Sequence, residues 1–304
     1  MDEDGLAWLT RRFAEHRPRL RAVAYRMLGS FADAEDALQE AWLHAGASAT
    51  RAEEIVNPGG WLTTVVARAC LNTLRTRKTR AEEPWDLHLP DPFIHTDGEA
   101  LEPEDAALLA DQVGLALQIV LDELAPDERV AFVLHDLFAV PFVDIAAVLE
   151  RSEPAARQLA SRGRRRVSAQ GEHPPDADPA RQRVVVEAFI AAAREGDLER
   201  LLTVLHPDVV ARADFGGRKL PIPAVLRGAA AVADNARLGA APDAELRPVL
   251  VNGAAGVLVI RRGRPFTLLA FTVSGGRIVA LDIYGDHERL GRLVGRSADP
   301  AASS

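Results

Sequence analysis

Apolar side chains recur every three or four residues through RLRAVAYRMLGSFADAEDALQEAWLHA, at Leu20, Val23, Tyr25, Leu28, Ala34, Leu38, Ala41 and Trp42. That is the repeat of a helix with one buried face. Gly29-Ser30 interrupts it, so the pattern predicts two helices and not one. Ser30 or Asp33 can cap the second, and Asp33, Glu35 and Asp36 fall early in it, where the helix dipole favours acids. NPGGW (Asn57–Trp61) reads as a turn and helix start, followed by LTTVVARACLNTLRTRKTR as a third long helix. Trp61 falls in the first turn of that helix and is expected to pack.

The periodicity then fails. EEPWDLHLPDPFIHTDGEALEP holds Pro84, Pro90, Pro92 and Pro103, and proline removes backbone donors and biases the residue before it to extended geometry. Trp85, Leu87, Leu89, Phe93 and Ile94 make this linker too apolar for a free tether, so it is expected to dock on something. Helical periodicity returns from Glu104 to Val167. A second linker, GEHPPDADP (Gly171–Pro179), has no apolar residue beyond alanine.

After it the period changes. RQRVVVEAFIAAAREGDLERLLTVLHPDVV reads as two helices, with His206-Pro207-Asp208 as a helix end and turn. VLVNGAAGVLVIRRGRPFTLLAFTVSGGRIVALDIYG reads as antiparallel strands turning at Asn252-Gly253, Gly263 and Gly275-Gly276. GRSADPAASS is expected to fray. The chain therefore divides into helices over 6–82, a proline-rich linker over 83–103, helices over 104–171 and an α+β domain over 180–295.

The second helical segment carries a recognisable arrangement. Pro126, Asp127 and Glu128 open a helix with Val130, Val133, Leu134 and Leu137 on one face. Phe142–Leu149 is a short helix, Arg151-Ser152 a turn, and Ser152 with Pro154 starts a helix running to about Val167. Ile145, Ala146, Leu149, Ala156 and Leu159 supply apolar contacts for two short helices crossing steeply. This is the spacing of a helix-turn-helix. Its second helix would offer Ser152, Glu153, Ala155, Arg157, Gln158, Ser161 and Arg162 to a major groove. Arg164, Arg165 and Arg166 would reach phosphate, Arg166 having the weakest claim. An ordinary solvated face explains basic residues at a helix C-terminus too, but here cap, turn and basic face coincide.

Composition alters this picture little. The 304 residues carry a net charge of −8, which disfavours DNA only if charge is averaged over the molecule, since counterion release depends on the contacting face. ARACLNTLRTRKTR is a second basic helix, with Arg68, Arg75, Arg77, Lys78 and Arg80, without acids and with Asn72 and Thr76 among them. If six to eight phosphates are neutralised, log K should fall with log salt at a slope of roughly −5 to −7. Cys70 is the only cysteine, which excludes an internal disulfide and disfavours a cysteine zinc site. No stretch of about 18 apolar residues occurs, and the acidic N-terminus does not read as a secretory signal, so the protein is expected in the cytoplasm. No metal, cofactor, phosphate loop or nucleophile elbow is expected.

Taken together, DAEDALQEAWL, NPGGWLTTVVARACLNTLRTRK and LAPDERVAFVLHDLF…DIAAVLERSEPAARQLASRGRRR resemble the bacterial extracytoplasmic-function sigma factors over about Leu6–Gln170. WDLHLPDP, DFGGRK and VNGAAG resemble the subgroup with a SnoaL-like C-terminal extension. The resemblance implies two all-α sigma domains, a helix bundle and a helix-turn-helix, followed by an α+β cone. It implies an alternative sigma factor that binds core RNA polymerase and directs promoter-specific transcription initiation, without being an enzyme. Asp33, Glu35, Asp36, Gln39 and Glu40 would grip the polymerase. Arg68, Asn72, Arg75, Arg77 and Lys78 would read and melt the −10 element, and the recognition helix, Arg165 included, the −35 element. Gly59-Gly60 stands where relatives often carry a bulkier polar pair, which suggests a more mobile loop.

For the third domain the resemblance implies a cone enclosing a pocket, and modulation of activity by a small ligand or a regulatory protein. Asp282 and Tyr284 alternate with Leu281 and Ile283 and share one side of a strand; if that side faces the interior, they line the pocket. His206, Asp208, Asp214 and His287 are further acid/base candidates, at no diagnostic spacing. A ligand-sensing helix-turn-helix regulator, or a DNA-binding module fused to a cyclase- or hydrolase-like domain, are the competing readings. The regulator has no need of DAEDALQEAW or a second basic helix.

Overall fold

The computed structural model describes residues 3–47, 55–80, 88–95, 115–170, 175–216, 218, 223–239 and 244–298. Residues 81–87, with Trp85 and Leu87, and the 104–114 part of the second helical segment lie outside the described residues. The chain forms two compact units, one of residues 3–80 with 117–170, the other of 88–95 and 175–298 with the two residues 115–116. It thus passes from the first unit to the second, back, and out again.

The first unit begins with α1 (Glu3–Leu28), α2 (Phe31–Ala47) and α3 (Pro58–Arg80). Gly29 breaks α1 from α2 at φ +72°, a conformation that favours glycine. Ser30 Oγ accepts the Asp33 amide at 3.3 Å, so Ser30 caps α2. Asn57 Oδ1 accepts the Gly60 amide at 3.0 Å and caps α3. Leu20, Val23, Tyr25, Ala34, Leu38, Leu62, Val66 and Cys70 are buried between the three helices.

The same unit continues with α4 (Leu115–Asp122), α5 (Pro126–Phe132), α6 (Phe142–Leu149) and α7 (Glu153–Gln170). The regular helix expected through Leu137 instead widens into a π-turn at Val133–Leu137. Glu150 adopts φ 55°, and the Arg151 amide donates to Ala146 O at 3.0 Å, which closes α6 and aims α7 away from it. Ile145, Leu149, Ala156, Leu159 and Ala160 are buried at the crossing. Gly163 lies against α5: a Cβ there would stand 3.0 Å from Phe132 Cβ and 3.2 Å from Glu128 O. Gln118 Nε2 donates to the carbonyls of Tyr25 (3.4 Å) and Arg26 (3.2 Å), and Arg129 Nη2 to that of Arg26 (3.3 Å). Buried polar bonds therefore tie α4 and α5 to the end of α1.

In the second unit α8 (Pro179–Glu195), α9 (Leu198–Val204) and α10 (Ala229–Gly239) pack on one face of a seven-stranded sheet. Its strands are β1 (Ile94–His95), β2 (Leu205–Asp214), β3 (Val225–Arg227), β4 (Glu245–Val251), β5 (Ala254–Arg261), β6 (Arg264–Ser274) and β7 (Arg277–Tyr284). The order is β1-β4-β5-β6-β7-β2-β3. Three expectations are corrected. His206-Pro207-Asp208 belongs to strand β2, with Pro207 inside the register shift between Leu205 and Val210, where a missing donor is tolerated. The sheet is not wholly antiparallel, since β2 and β7 run parallel. The expected frayed end begins inside α11 (His287–Ala298), whose Leu290 and Leu293 are buried.

Candidate nucleic-acid interface and linker-binding face

Two outward faces of the first unit carry the sequence candidates. On α2, Asp36 and Gln39 are exposed and Glu40 is half-buried. Leu43, 66% exposed, extends the same i, i+3, i+4, i+7 stripe and was not among the residues read from sequence. Asp33 and Glu35 are instead engaged within the unit. Asp33 pairs with Arg77, and Glu35 with Arg17 (2.8 Å) and Arg21 (3.1 Å). On α3, Arg68, Asn72, Arg75 and Lys78 are exposed and Arg77 is half-buried, its Nη1 donating to Leu28 O at 3.0 Å.

On α7 the buried positions Ala156, Leu159, Ala160 and Gly163 face α5 and α6, leaving Arg157, Gln158, Arg162, Arg164, Arg165 and Arg166 outside. Ser152 is exposed just before it, and Glu153, Ala155 and Ser161 are half-buried. Arg157 pairs with Glu153 and lies 4.7 Å from the centroid of Phe142. Among the described residues Arg165 has no ion pair.

Most of these cations already have internal partners. Arg68 Nη2 donates to Ala147 O (3.0 Å) on α6, and Arg75 Nη2 lies 3.0 Å from Asp127 of α5. Arg162 and Arg166 converge on Glu128, at 3.0 and 2.8 Å, and Arg164 pairs with Asp136 at 2.6 Å. Asp127 and Glu128 complement the α5 dipole when read from sequence alone. The fold makes them counter-ions of two basic helices, a role without a one-dimensional signal. Burial lowers the Arg129 pKa against the opposing pull of Asp122, and burial pushes the Cys70 thiol up to about 12.

In the second unit, register sets Arg212 beside Asp282 and Asp214 beside Tyr284. The core under α8, α9 and α10 takes Ala211 and Leu281, so Asp282 and Tyr284 point to the opposite face. That is not the side an internal pocket would need. Both are buried: Asp282 pairs with Arg212 at 3.0 Å, and Tyr284 Oη donates to Pro90 O at 2.9 Å. Burial raises the Asp282 pKa, opposed by Arg212. Neither residue lines the cleft of about 400 Å³ between α8 and β4–β5, which Val186, Ile190, Leu246, Pro248 and Val257 make apolar. His206 and Asp208 interact with each other at the start of β2, the Asp208 amide meeting His206 Nδ1 at 3.2 Å. His287 is exposed and packs on Phe266.

The face with Tyr284 holds the linker. Arg289 of α11 bonds Asp91 (2.7 Å), Asp214 (2.6 Å) and the Leu89 carbonyl. Asp214 also accepts the Leu89 amide at 3.0 Å. Asn252, in its hairpin turn at φ 49°, accepts the Phe93 amide and returns its own amide to Phe93 O at 2.9 Å. Ile94 and His95 then add to the sheet as β1 beside β4. Leu89, Phe93 and Ile94 are buried, which answers where the apolar linker docks. Among the described residues no metal-ligand cluster occurs, and no helix is long and apolar enough to cross a membrane.

Residues 12–80 match the Sigma-70 region 2 family and residues 115–167 the Sigma-70, region 4 family. The chain is 45% identical over 217 residues to the ECF RNA polymerase sigma factor SigJ of Mycobacterium tuberculosis H37Rv, covering 71% of this chain and 68% of that one. It is 38% identical over 203 residues to a probable ECF RNA polymerase sigma factor, SigI, of M. tuberculosis CDC 1551, covering 66% and 67%. The crystal structure of M. tuberculosis SigJ superimposes with a TM-score of 0.69 at 35% identity, over 92% of this chain and 98% of that one.

Proposed function

The chain belongs to the extracytoplasmic-function RNA polymerase sigma factors with a SnoaL-like C-terminal extension, and from that premise we propose how its residues divide the work. It is an alternative sigma factor. The α2 stripe of Asp36, Gln39, Glu40 and Leu43 binds core polymerase, its carboxylates meeting cations and its leucine an apolar surface. Asn72 with Arg68, Arg75, Arg77 and Lys78 of α3 holds the −10 strand. Arg157, Gln158, Ser161 and Arg162, with Ser152, Glu153 and Ala155 at the start of α7, reads the −35 duplex, and Arg165 holds phosphate. The observation that carries this reading is two basic helices on two helical modules, both keyed to carboxylates at the start of α5.

That keying has a consequence for mechanism. Phosphate must displace Asp127 from Arg75 and Glu128 from Arg162 and Arg166 before those cations can hold DNA. Glu128 is buried, its side chain 8% exposed, so releasing Arg162 and Arg166 leaves that carboxylate desolvated; the described arrangement is a resting one, and DNA and core binding must supply the cost of opening it. The C-terminal domain modulates activity by holding, as strand β1, the segment that joins the two DNA-binding modules. This is a non-enzymatic role: the Asp282 carboxylate is committed to Arg212 and the Tyr284 hydroxyl to the linker.

The test is transcription in vitro from a genomic promoter library with core polymerase and the full-length chain. Promoter-specific transcripts are expected, lost on R157A/R162A while core binding persists, and lost together with core binding on D36A/L43A. No transcript from any template, with no association with core, overturns the reading.

A further inference from the structure

Leu246–Leu281 contains Arg247, Arg261, Arg262, Arg264 and Arg277 and no carboxylate, in a chain whose 44 acids outnumber its 36 Lys and Arg. Three of the five gather on one hairpin. β5 ends at Arg261, Arg262 and Gly263 form the turn, and β6 begins at Arg264, with Arg261 and Arg264 directly paired. Arg262 has φ 52°, a left-handed position that L side chains other than Asn and Asp seldom take. The neighbouring hairpins put Asn252 and Gly275 at the equivalent place. An arginine there is held against its own backbone preference, and strain of that kind points to a use of the side chain.

The surroundings fit an anion. Among the described residues neither Arg262 nor Arg264 has an ion pair, and both are exposed. The Arg261 guanidinium lies 5.0 Å from the centroid of Phe266, which in turn contacts His287 at 4.8 Å, giving an aromatic floor beside the cations. Of the carboxylates on flanking elements, Glu245 is paired with Arg247 at 3.0 Å, and Asp286 accepts the Glu288 and Arg289 amides at the start of α11.

We propose that the Arg261–Arg264 hairpin tip is a further nucleic-acid contact, which grips the phosphate backbone of duplex DNA without reading sequence. Arginine forks suit phosphate, and a contact that spares the base edges needs only cations at a reachable tip. The choice of DNA over other polyanions rests on the sigma-factor reading, because two modules of the same chain already bring DNA to an intramolecular distance. The tip would then strengthen binding at any sequence next to the promoter elements.

R262Q/R264Q tests it, since neither side chain supports the fold. The full-length chain is titrated against a labelled random-sequence DNA duplex by fluorescence anisotropy over a range of NaCl. Loss of two phosphate contacts should flatten the log K against log salt slope by about 2 and weaken binding by about tenfold at low salt. Equal slopes and affinities for wild type and variant overturn the inference, as does a loss seen with RNA and not with DNA. The transcription experiment above does not depend on this tip: a failure confined to R157A/R162A or D36A/L43A speaks against the sigma assignments, and one confined to R262Q/R264Q against the hairpin.

Discussion

Replacing Arg289 with methionine keeps the unbranched stem of the side chain and removes the cation. Asp91 and Asp214, with side chains 9% and 3% exposed, then lie buried without it, and the Leu89 carbonyl loses its donor. Breaking a buried ion pair from one side costs about 3–5 kcal/mol, because the remaining charge stays desolvated. The chain escapes most of that cost by letting 88–95 leave the sheet, where both carboxylates hydrate. At about 1.4 kcal/mol per decade, the local opening equilibrium should rise by two to three orders of magnitude. Amide hydrogen exchange reads this directly: Leu89, Phe93 and Asn252 donate the bonds that open, while Phe271 in the core under α8 does not depend on them. The expected result is fast exchange at Leu89, Phe93 and Asn252 with Phe271 unchanged. Unaltered protection at Leu89 and Phe93 in a folded R289M chain would show that Arg289 does not hold the linker. Global unfolding would be seen as equal loss at Phe271, and D91N then supplies the milder test, since it removes one partner and leaves Arg289 with Asp214.

Other perturbations give separate readings. G163A places a methyl group 3.0 Å from Phe132 Cβ, so α7 must shift on α5; a cost of about 1–3 kcal/mol in urea unfolding and weaker −35 binding are expected, with core binding kept. Cys70, buried with its pKa pushed up to about 12, should resist a thiol reagent at pH 8 in the native chain and react once urea unfolds it. Burial raises the Asp282 pKa above its ordinary value, so the unfolded chain releases this proton first as pH rises. Its contribution to stability is present below about pH 4 and lost as pH climbs through the raised folded value; a stability–pH slope in D282N that is no less negative than wild type just above pH 4 would contradict this.

Much of the architecture was legible in the sequence because short-range rules decide it. Gly29-Ser30, Asn57 and the Phe142–Leu149 helix followed by a turn are set by capping, glycine and periodicity, and the structure has each of them. β2 was not legible: LHPDVV follows an amphipathic helix, and its partners are the three-residue β3 and, in parallel, β7, more than sixty residues later in the chain. The candidate DNA-binding residues were legible as charge on helix faces, whereas their counter-ions Asp127 and Glu128 were not, because a carboxylate at a helix start has a sufficient local reason to be there. The linker's apolar residues announced that they needed a partner, but its identity came from Arg289 and Asn252, each meaningful only in three dimensions. For Asp282 and Tyr284 the strand alternation was right and the side was undetermined, since alternation fixes which residues share a face and leaves open what covers it.

The edge strand contributed by 94–95 also bears on how such a protein is dissected and how it could have arisen. A truncated chain ending near Gln170 does not simply subtract a module; it bares Leu89, Phe93 and Ile94, so any gain or loss of activity mixes a missing regulator with a newly sticky connector. Nor can the extension be grafted onto an unrelated sigma factor by joining tails, because part of its sheet is encoded upstream of the second DNA-binding module. The connector and the extension have to travel as a pair.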